Sequence, residues 1–126
     1  MTFKLVAMVL AAFCVALSVM WFVDVGLYTV TYGVAADTGT QFLGRRMAPI
    51  LLGLGLMFYL ARNAPPSPLR RTMCLGIAVA FAGVATTGIM AFIDGVASFA
   101  ILIAAGTEFA AALAFIAVSQ DREQAG

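Results

Sequence analysis

Four long apolar runs, separated by short polar connections, organise the sequence. A hydrocarbon core of about 30 Å requires about 20 apolar residues in a helix that rises about 1.5 Å per residue. Three of the runs reach this length, namely Leu5–Val23, Thr72–Ile93 and Val96–Val118. The pattern predicts an all-α integral membrane protein, a four-helix bundle that forms a single membrane domain over residues 1–126.

The second run, Met47–Ala61, is shorter than the others. It has roughly 15 residues, which gives a helix of about 22 Å and falls short of the core. Either the membrane thins around it, or the helix begins earlier and covers about residues 42–61. The second choice carries Arg45 and Arg46 below the membrane interface.

Pro49 bears on where this helix begins. Proline suits the first turn of a helix and costs about 3 kcal/mol in its interior. A start near Ala48 suits Pro49, whereas a start near Phe42 places the proline inside the helix and implies a bend. We therefore predict a break or kink near Arg46–Pro49.

The two short connections carry strong helix-terminating signals. The proline-rich segment 63–68 is predicted to be non-helical and to end the second span. Asp94 and Gly95 form a predicted tight turn between the last two spans. This turn makes those spans an antiparallel hairpin, and Asp94 is positioned to cap the fourth helix.

The long connection, Asp24–Gly44, is too short for a soluble domain. Part of it is predicted to form a short helix that lies on or dips into the outer leaflet. Tyr28 and Tyr32, four residues apart, suit an aromatic belt at the headgroup level.

Basic residues in short loops indicate the orientation, because they favour the cytoplasmic side. With the N-terminus inside, the outer side holds Arg45 and Arg46. The cytoplasmic side then holds five basic residues: Lys4, Arg62, Arg70, Arg71 and Arg122. The chain is therefore predicted to have both termini inside, in the inner (plasma) membrane of a bacterium.

The composition narrows the classes of function. Apolar residues make up 63% of the chain and charged residues 10%, whereas soluble domains carry roughly half and a quarter. The net charge of +1 gives no electrostatic support for nucleic-acid binding. The chain has no histidine and shows no catalytic, metal-binding or cofactor motif, so we predict a protein that is not an enzyme and has no cofactor.

Small residues recur on one face of the third span, at Gly76, Ala80, Gly83 and Thr87. Helices associate in lipid through close packing, and small residues let the backbones approach each other. The stripe predicts a helix contact either within the chain or with another copy or a membrane-protein partner, and the sequence does not separate these cases.

Four charged residues are predicted to lie near the outer interface: Asp24, Arg45, Arg46 and Asp94. Asp24 ends the first span, where an acid opposes the helix dipole and favours a cationic partner. The four residues form either a salt-bridge network that fixes helix register or, together with Glu108, a polar pocket that holds a headgroup or small ligand.

Glu108 is the only charged residue inside the fourth span. It is predicted to lie about 18 Å below the outer end of the span. An ionised acid facing lipid at that depth is costly, so Glu108 is predicted to face the bundle, with Thr86, Thr87 or Ser18 as hydrogen-bond partners. A structural role, proton or cation coupling, and ligand contact all remain open.

Several features together resemble a known group of proteins. These are the Gly44-Arg45-Arg46 step into a glycine-rich second span, the Arg62 exit, the Asp94-Gly95 hairpin and the acid in the last span. They resemble small bacterial inner-membrane proteins classified as domain of unknown function 4345, which lie near the DoxX-like proteins. The resemblance implies a four-helix membrane bundle and identifies no catalytic residues.

Two functions follow as hypotheses. The first is a non-enzymatic accessory or structural component of the membrane, in contact with lipids and with a partner protein or a second copy. The second is a small transporter, or a protein that binds lipid or a small ligand, using Glu108 with Arg45 and Arg46.

Overall fold

The computed structural model describes residues 2–120, and the prediction that Arg122 lies on the cytoplasmic side falls outside this range. The structure is all-α, and four of its helices are long and apolar enough to cross a membrane. The elements are α1 (Phe3–Asp24), α2 (Gly26–Thr29), a 3-10 turn (Val30–Tyr32), α3 (Thr38–Ala61), α4 (Pro68–Ile93) and α5 (Ala100–Ser119). The predicted helix class and the four candidate spans are confirmed.

Three of the long helices begin at a capping side chain. Thr2, Asp37 and Ser67 each accept a hydrogen bond from a backbone amide three residues later. Ser67 precedes Pro68, which is the first residue of α4. The prediction that segment 63–68 is wholly non-helical is therefore wrong at its last residue, because a proline in the first turn sacrifices no helical hydrogen bond.

The predicted break near Arg46–Pro49 does not occur, and the kink named as its alternative stays a prediction. Residues 38–61 form one continuous helix with Pro49 in its interior. The proline removes the amide that would bond to the carbonyl of Arg45, and Arg45 is exposed. Next to Pro49, the hydroxyl of Ser18 donates a 2.7 Å hydrogen bond to the carbonyl of Ala48. This contact joins α1 to α3 one residue before the proline, and it does not replace the hydrogen bond that the Arg45 carbonyl loses.

The connection between α4 and α5 is longer than the predicted two-residue turn. Gly95 adopts a left-handed conformation with φ of 71°. The amide of Gly95 bonds to the carbonyl of Phe92, and the amide of Val96 bonds to that of Ala91, which is the Schellman pattern that ends a helix. Asp94 therefore closes α4, and the prediction that it caps the fourth helix is wrong, since α5 begins only at Ala100.

The four long helices pack as two antiparallel pairs, α1 with α3 and α4 with α5. Gly55 of α3 lies so close to α1 that an added Cβ would come within 3.1 Å of the Ala11 carbonyl oxygen and of the Cys14 Cβ. Gly44 lies still closer to Val25, just beyond the end of α1, where an added Cβ would come within 2.7 Å of the Val25 Cβ. Small residues therefore set the short distance between α1 and α3.

The buried core joins the two pairs near the end of the bundle that carries Phe3 and Ser119. Its centre is an aromatic group in which the Phe115 ring lies 5.6 Å from that of Phe58 and 6.4 Å from that of Phe81. The buried hydrophobic residues that form this core are Phe3, Val6, Ala7, Leu10, Ala11, Cys14, Phe58, Cys74, Ile77, Ala78, Ala112, Phe115 and Val118.

At the opposite end, the long connection folds back against α5. The amide of Ser98 donates a 2.7 Å hydrogen bond to the carbonyl of Tyr32. Gly33 follows with φ of 74° beside Ser98. Helix α2 and the 3-10 turn are thereby held next to the start of α5, and this position brings Tyr28 and Tyr32 toward Glu108.

Candidate ligand-binding groove

A cavity of about 690 Å³ lies along α5, between that helix, α1 and the connection that follows α1. We call it the lateral groove. Leu5, Val9 and Phe13, spaced four residues apart on α1, form one wall and remain at least half exposed. The connection after α1 adds Tyr28, Thr31 and Tyr32 to the lining. The other lining residues are Val6, Leu10, Phe81, Ala100, Ile103, Ala104, Thr107, Glu108, Ala111, Ala114 and Phe115.

The groove exists because α5 presents mainly small residues along this face. Ala100, Ala104 and Ala111 line it at helical spacing, and alanine leaves open volume when the opposite helix does not approach closely. Ile103 on the rim is 64% exposed. The groove is therefore open along its side, and in a membrane this opening faces the lipid.

The two ends of the groove differ in chemistry. The end under the connection holds four hydroxyls and a carboxyl group, from Tyr28, Thr31, Tyr32, Thr107 and Glu108. The other end is lined by apolar side chains, including Leu5 and Phe115. A molecule with one polar head and an apolar tail matches this arrangement.

Glu108 is half-buried, near the middle of α5. Since α5 begins at Ala100 rather than Val96, the side chain lies eight residues from the helix start, or about 12 Å, instead of the expected 18 Å. The three hydroxyls proposed as its partners donate elsewhere. Ser18 bonds to the carbonyl of Ala48, Thr86 to that of Ala82, and Thr87 to that of Val84.

The connection brings polar groups into the groove that Glu108 lines. Burial, the neighbouring Tyr32 and the charge of Glu108 together raise the pKa of the Tyr28 phenol well above its usual value. Tyr28 therefore stays protonated and can donate a hydrogen bond in the groove. Both tyrosines are half-buried groove residues, and their place in an aromatic belt at the headgroup level stays a prediction.

Trp21 extends this aromatic group behind Tyr28. Its ring lies 5.4 Å from that of Tyr28, and the Tyr28 and Tyr32 rings are 5.0 Å apart in an edge-to-face arrangement. The indole N–H is buried and makes no hydrogen bond within residues 2–120. Sequence reasoning missed Trp21, because its position in the apolar run gave no sign that the chain would fold back beside it.

Asp24 takes its hydrogen bonds from uncharged groups. Its carboxylate accepts from the Gln41 side-chain amide and from the backbone amide of Gly26, the latter at 2.8 Å. Arg45 lies near enough to act on it electrostatically. The predicted cationic partner thus contributes only at longer range, and Gln41, which the sequence did not single out, is the direct contact.

The other predicted site residues lie apart from the groove. Arg45 and Arg46 are exposed, and the Arg46 guanidinium lies 5.6 Å from the centroid of the Phe42 ring. Asp94 is exposed in the turn after α4. Of the five residues assigned to one polar pocket, only Glu108 lines the lateral groove, and the structure brings only Asp24 and Arg45 near each other.

Comparison with protein-family models, curated proteins and solved structures finds no match for this chain. Within residues 2–120, no group of three or more cysteine and acidic side chains is arranged to hold a metal ion. Function must therefore be argued from the geometry of the groove.

Proposed function

We propose that this protein is a non-enzymatic, multi-pass membrane protein that binds a small lipophilic amine in the lateral groove. One observation carries the proposal: a carboxyl side chain, Glu108, lines an otherwise largely apolar groove that is open to the side. We further propose that both termini are cytoplasmic and that the membrane is a bacterial inner membrane. The likeness to domain of unknown function 4345 stays a prediction.

The chemistry of the polar end favours a cationic head. A carboxylate away from bulk water is costly unless it has a partner, and an ammonium group supplies both charge and hydrogen bonds. Aromatic faces beside the carboxylate, here Tyr28 and Tyr32, attract cations as well. An alkyl tail would then lie between α1 and α5, against Val9 and Phe13.

The ligand would enter from the bilayer. The exposed α1 wall and the exposed rim at Ile103 leave the side of the groove open, so a molecule dissolved in lipid reaches Glu108 without crossing a polar barrier. Ligand affinity should accordingly depend on the tail as well as on the head.

Trp21 provides the test, because it is the only tryptophan of the chain and contacts the Tyr28 ring. We expect decylamine, added to the protein in mild detergent, to change the Trp21 fluorescence in a saturable way. Glu108→Gln should weaken decylamine binding about ten-fold or more, as expected when a hydrogen bond to a charged group is lost. Decanol, which has the same tail and no charge, should bind equally to both proteins.

Asp94→Asn is the matched control, because Asp94 is an exposed acid that does not line the groove. It should leave decylamine affinity unchanged. Thermal melting checks that both proteins are folded. Equal decylamine affinity in the folded wild type and the folded Glu108→Gln variant would refute the proposal.

A second candidate, an accessory component that acts through helix contacts, is favoured by the position of the α4 stripe. Gly76, Ala80, Gly83 and Thr87 are all exposed. Within residues 2–120, a Cβ added to Gly76 or Gly83 would meet nothing within 4 Å, so these glycines serve no close contact in that part of the chain.

Light scattering in mild detergent tests this candidate. We expect an oligomer or a co-purified partner, and Gly83→Leu should dissociate it. Gly106→Leu, at an equally open glycine on α5, is the control. Recovery of the wild-type protein only as a lone monomer would count against an accessory role.

A further inference from the structure

A second pocket, of about 450 Å³, lies at the end of the bundle where α1 begins and α3 ends. Three cationic residues line it: Lys4 of α1, Arg62 just after α3, and Arg70 of α4. The Thr2 and Asn63 side chains are also part of its lining, and no carboxylate is among the described residues that form it. This pocket lies apart from the lateral groove and shares no lining residue with it.

Arg70 is held in a fixed position at the pocket. Only 7% of it is exposed. Its guanidinium lies 4.8 Å from the centroid of the Phe3 ring and donates a 3.2 Å hydrogen bond to the carbonyl of Ala64. A buried charge placed this way contributes a positive potential to the pocket even where its N–H groups have other partners.

Arg62 is ordered by its own helix. One guanidinium nitrogen donates a 2.6 Å hydrogen bond to the carbonyl of Tyr59, and the guanidinium carbon lies 4.0 Å from the centroid of the Tyr59 ring. Four of its five N–H donors are not needed for that bond. Lys4 is exposed across the same pocket. Like charges that converge on one pocket repel each other, and an anion bound between them relieves this repulsion.

The surface beside the pocket suits acyl chains. Each cationic residue has an exposed leucine nearby in the sequence: Leu5 follows Lys4, Leu69 precedes Arg70, and Leu60 lies two positions before Arg62. Each of these leucines is more than half exposed. Cations at a membrane interface, flanked by lipid-facing leucines, match a phosphate headgroup with its attached tails. A soluble phosphate would use the cations alone.

We propose that this pocket binds the phosphate of an anionic phospholipid headgroup. Lys4 and Arg62 contact the phosphate, and Arg70 supplies fixed positive potential behind it. Basic pockets between membrane helices suit such headgroups, because each cation near the surface attracts the anionic lipid. This inference is independent of the ligand proposed for the lateral groove.

Native mass spectrometry of the detergent-solubilised protein tests the inference. We expect phosphatidylglycerol to remain bound more tightly than phosphatidylcholine. Lys4→Gln and Arg62→Gln should each raise the phosphatidylglycerol Kd about five-fold, and about 25-fold together. Arg62→Lys, which keeps the charge, should restore most of the affinity.

Arg71→Gln is the matched control, because Arg71 is exposed on the same turn as Arg70 but does not line the pocket. It should leave the Kd unchanged. Thermal melting with and without phosphatidylglycerol checks that each variant is folded and reports binding a second time. Equal Kd values for the double variant and for Arg71→Gln would overturn the proposal. Equal protection by inorganic phosphate would overturn the assignment to a lipid.

Discussion

Helix α1 has two faces that meet their neighbours in opposite ways. Toward α3 it presents Ala11, Cys14 and Ser18, all buried, against which Gly55 and Ala48 pack at close range. Toward α5 it presents larger residues that border the lateral groove, and three of them, Leu5, Val9 and Phe13, remain at least half exposed. One apolar helix thus forms both a tight interface and an open one.

The difference shows that side-chain size, rather than hydrophobicity, determines which helices come together in lipid. Both faces of α1 are apolar, and lipid tails solvate either face equally well. Small residues on both partners let α1 and α3 approach each other. On the other face, large residues on α1 oppose alanines on α5, and the connection carrying Tyr28 enters the space between them.

The sharpest test of this comparison replaces one phenylalanine from each region. Phe58, 1% exposed, packs against Phe115 in the core, and Phe13, 50% exposed, lines the groove. Phe58→Ala should lower the free energy of unfolding by about 3–5 kcal/mol, through lost contacts and a cavity. Phe13→Ala should cost under about 1 kcal/mol. Unfolding in mild detergent, followed by circular dichroism, measures both, and similar losses would mean that the groove is closed in the folded protein.

A smaller effect separates two neighbouring glycines of α3. Gly55→Ala adds a methyl group 3.1 Å from the Ala11 carbonyl oxygen, and should destabilise the protein by about 1–3 kcal/mol through overpacking. Gly53→Ala meets nothing within 4 Å, and should be neutral or stabilising by up to about 1 kcal/mol, because alanine favours the helix. The same melting experiment compares them. If Gly55→Ala were as stable as Gly53→Ala, the close packing of α1 against α3 at Gly55 would be contradicted.

The sequence predicted the spans well because their signal is local. Length and hydropathy placed four helices, and the caps at Asp37 and Ser67 explain why two of them begin earlier than the apolar runs do. Continuity at Pro49 was not predictable in this way. It accompanies close packing on both sides of the proline, of Gly44 against Val25 and of Gly55 against α1, and these contacts lie outside any local pattern.

The candidate site was harder to predict because it depends on rotation about helix axes. Depth alone grouped Asp24, Arg45, Arg46 and Asp94 with Glu108, but residues at one depth can lie on different sides of a bundle. Apolar helices give little indication of which face meets which neighbour. The return of Tyr28 and Tyr32 toward α5 also depends on the Ser98 hydrogen bond, which joins distant parts of the chain.

The smallest predicted effect concerns Asp37, which caps α3 where the connection rejoins the bundle. Its carboxylate accepts hydrogen bonds from the amide and hydroxyl of Thr40, at 2.7 and 2.8 Å, and these bonds lower the pKa of Asp37. A lowered pKa in the folded state means that the contribution to stability is present above the unfolded pKa of about 3.9, and is lost as the pH falls through the folded value. As the pH falls below about 5, the melting temperature in mild detergent should therefore decrease more in the wild type than in Asp37→Asn. Asparagine caps comparably but does not titrate.

Because Asp37 is exposed, the difference should be small and confined to the start of α3, where hydrogen exchange at the Thr40 amide reports it directly. An identical acid response in both proteins would show that the end of the connection is held by contacts with the bundle rather than by its own cap.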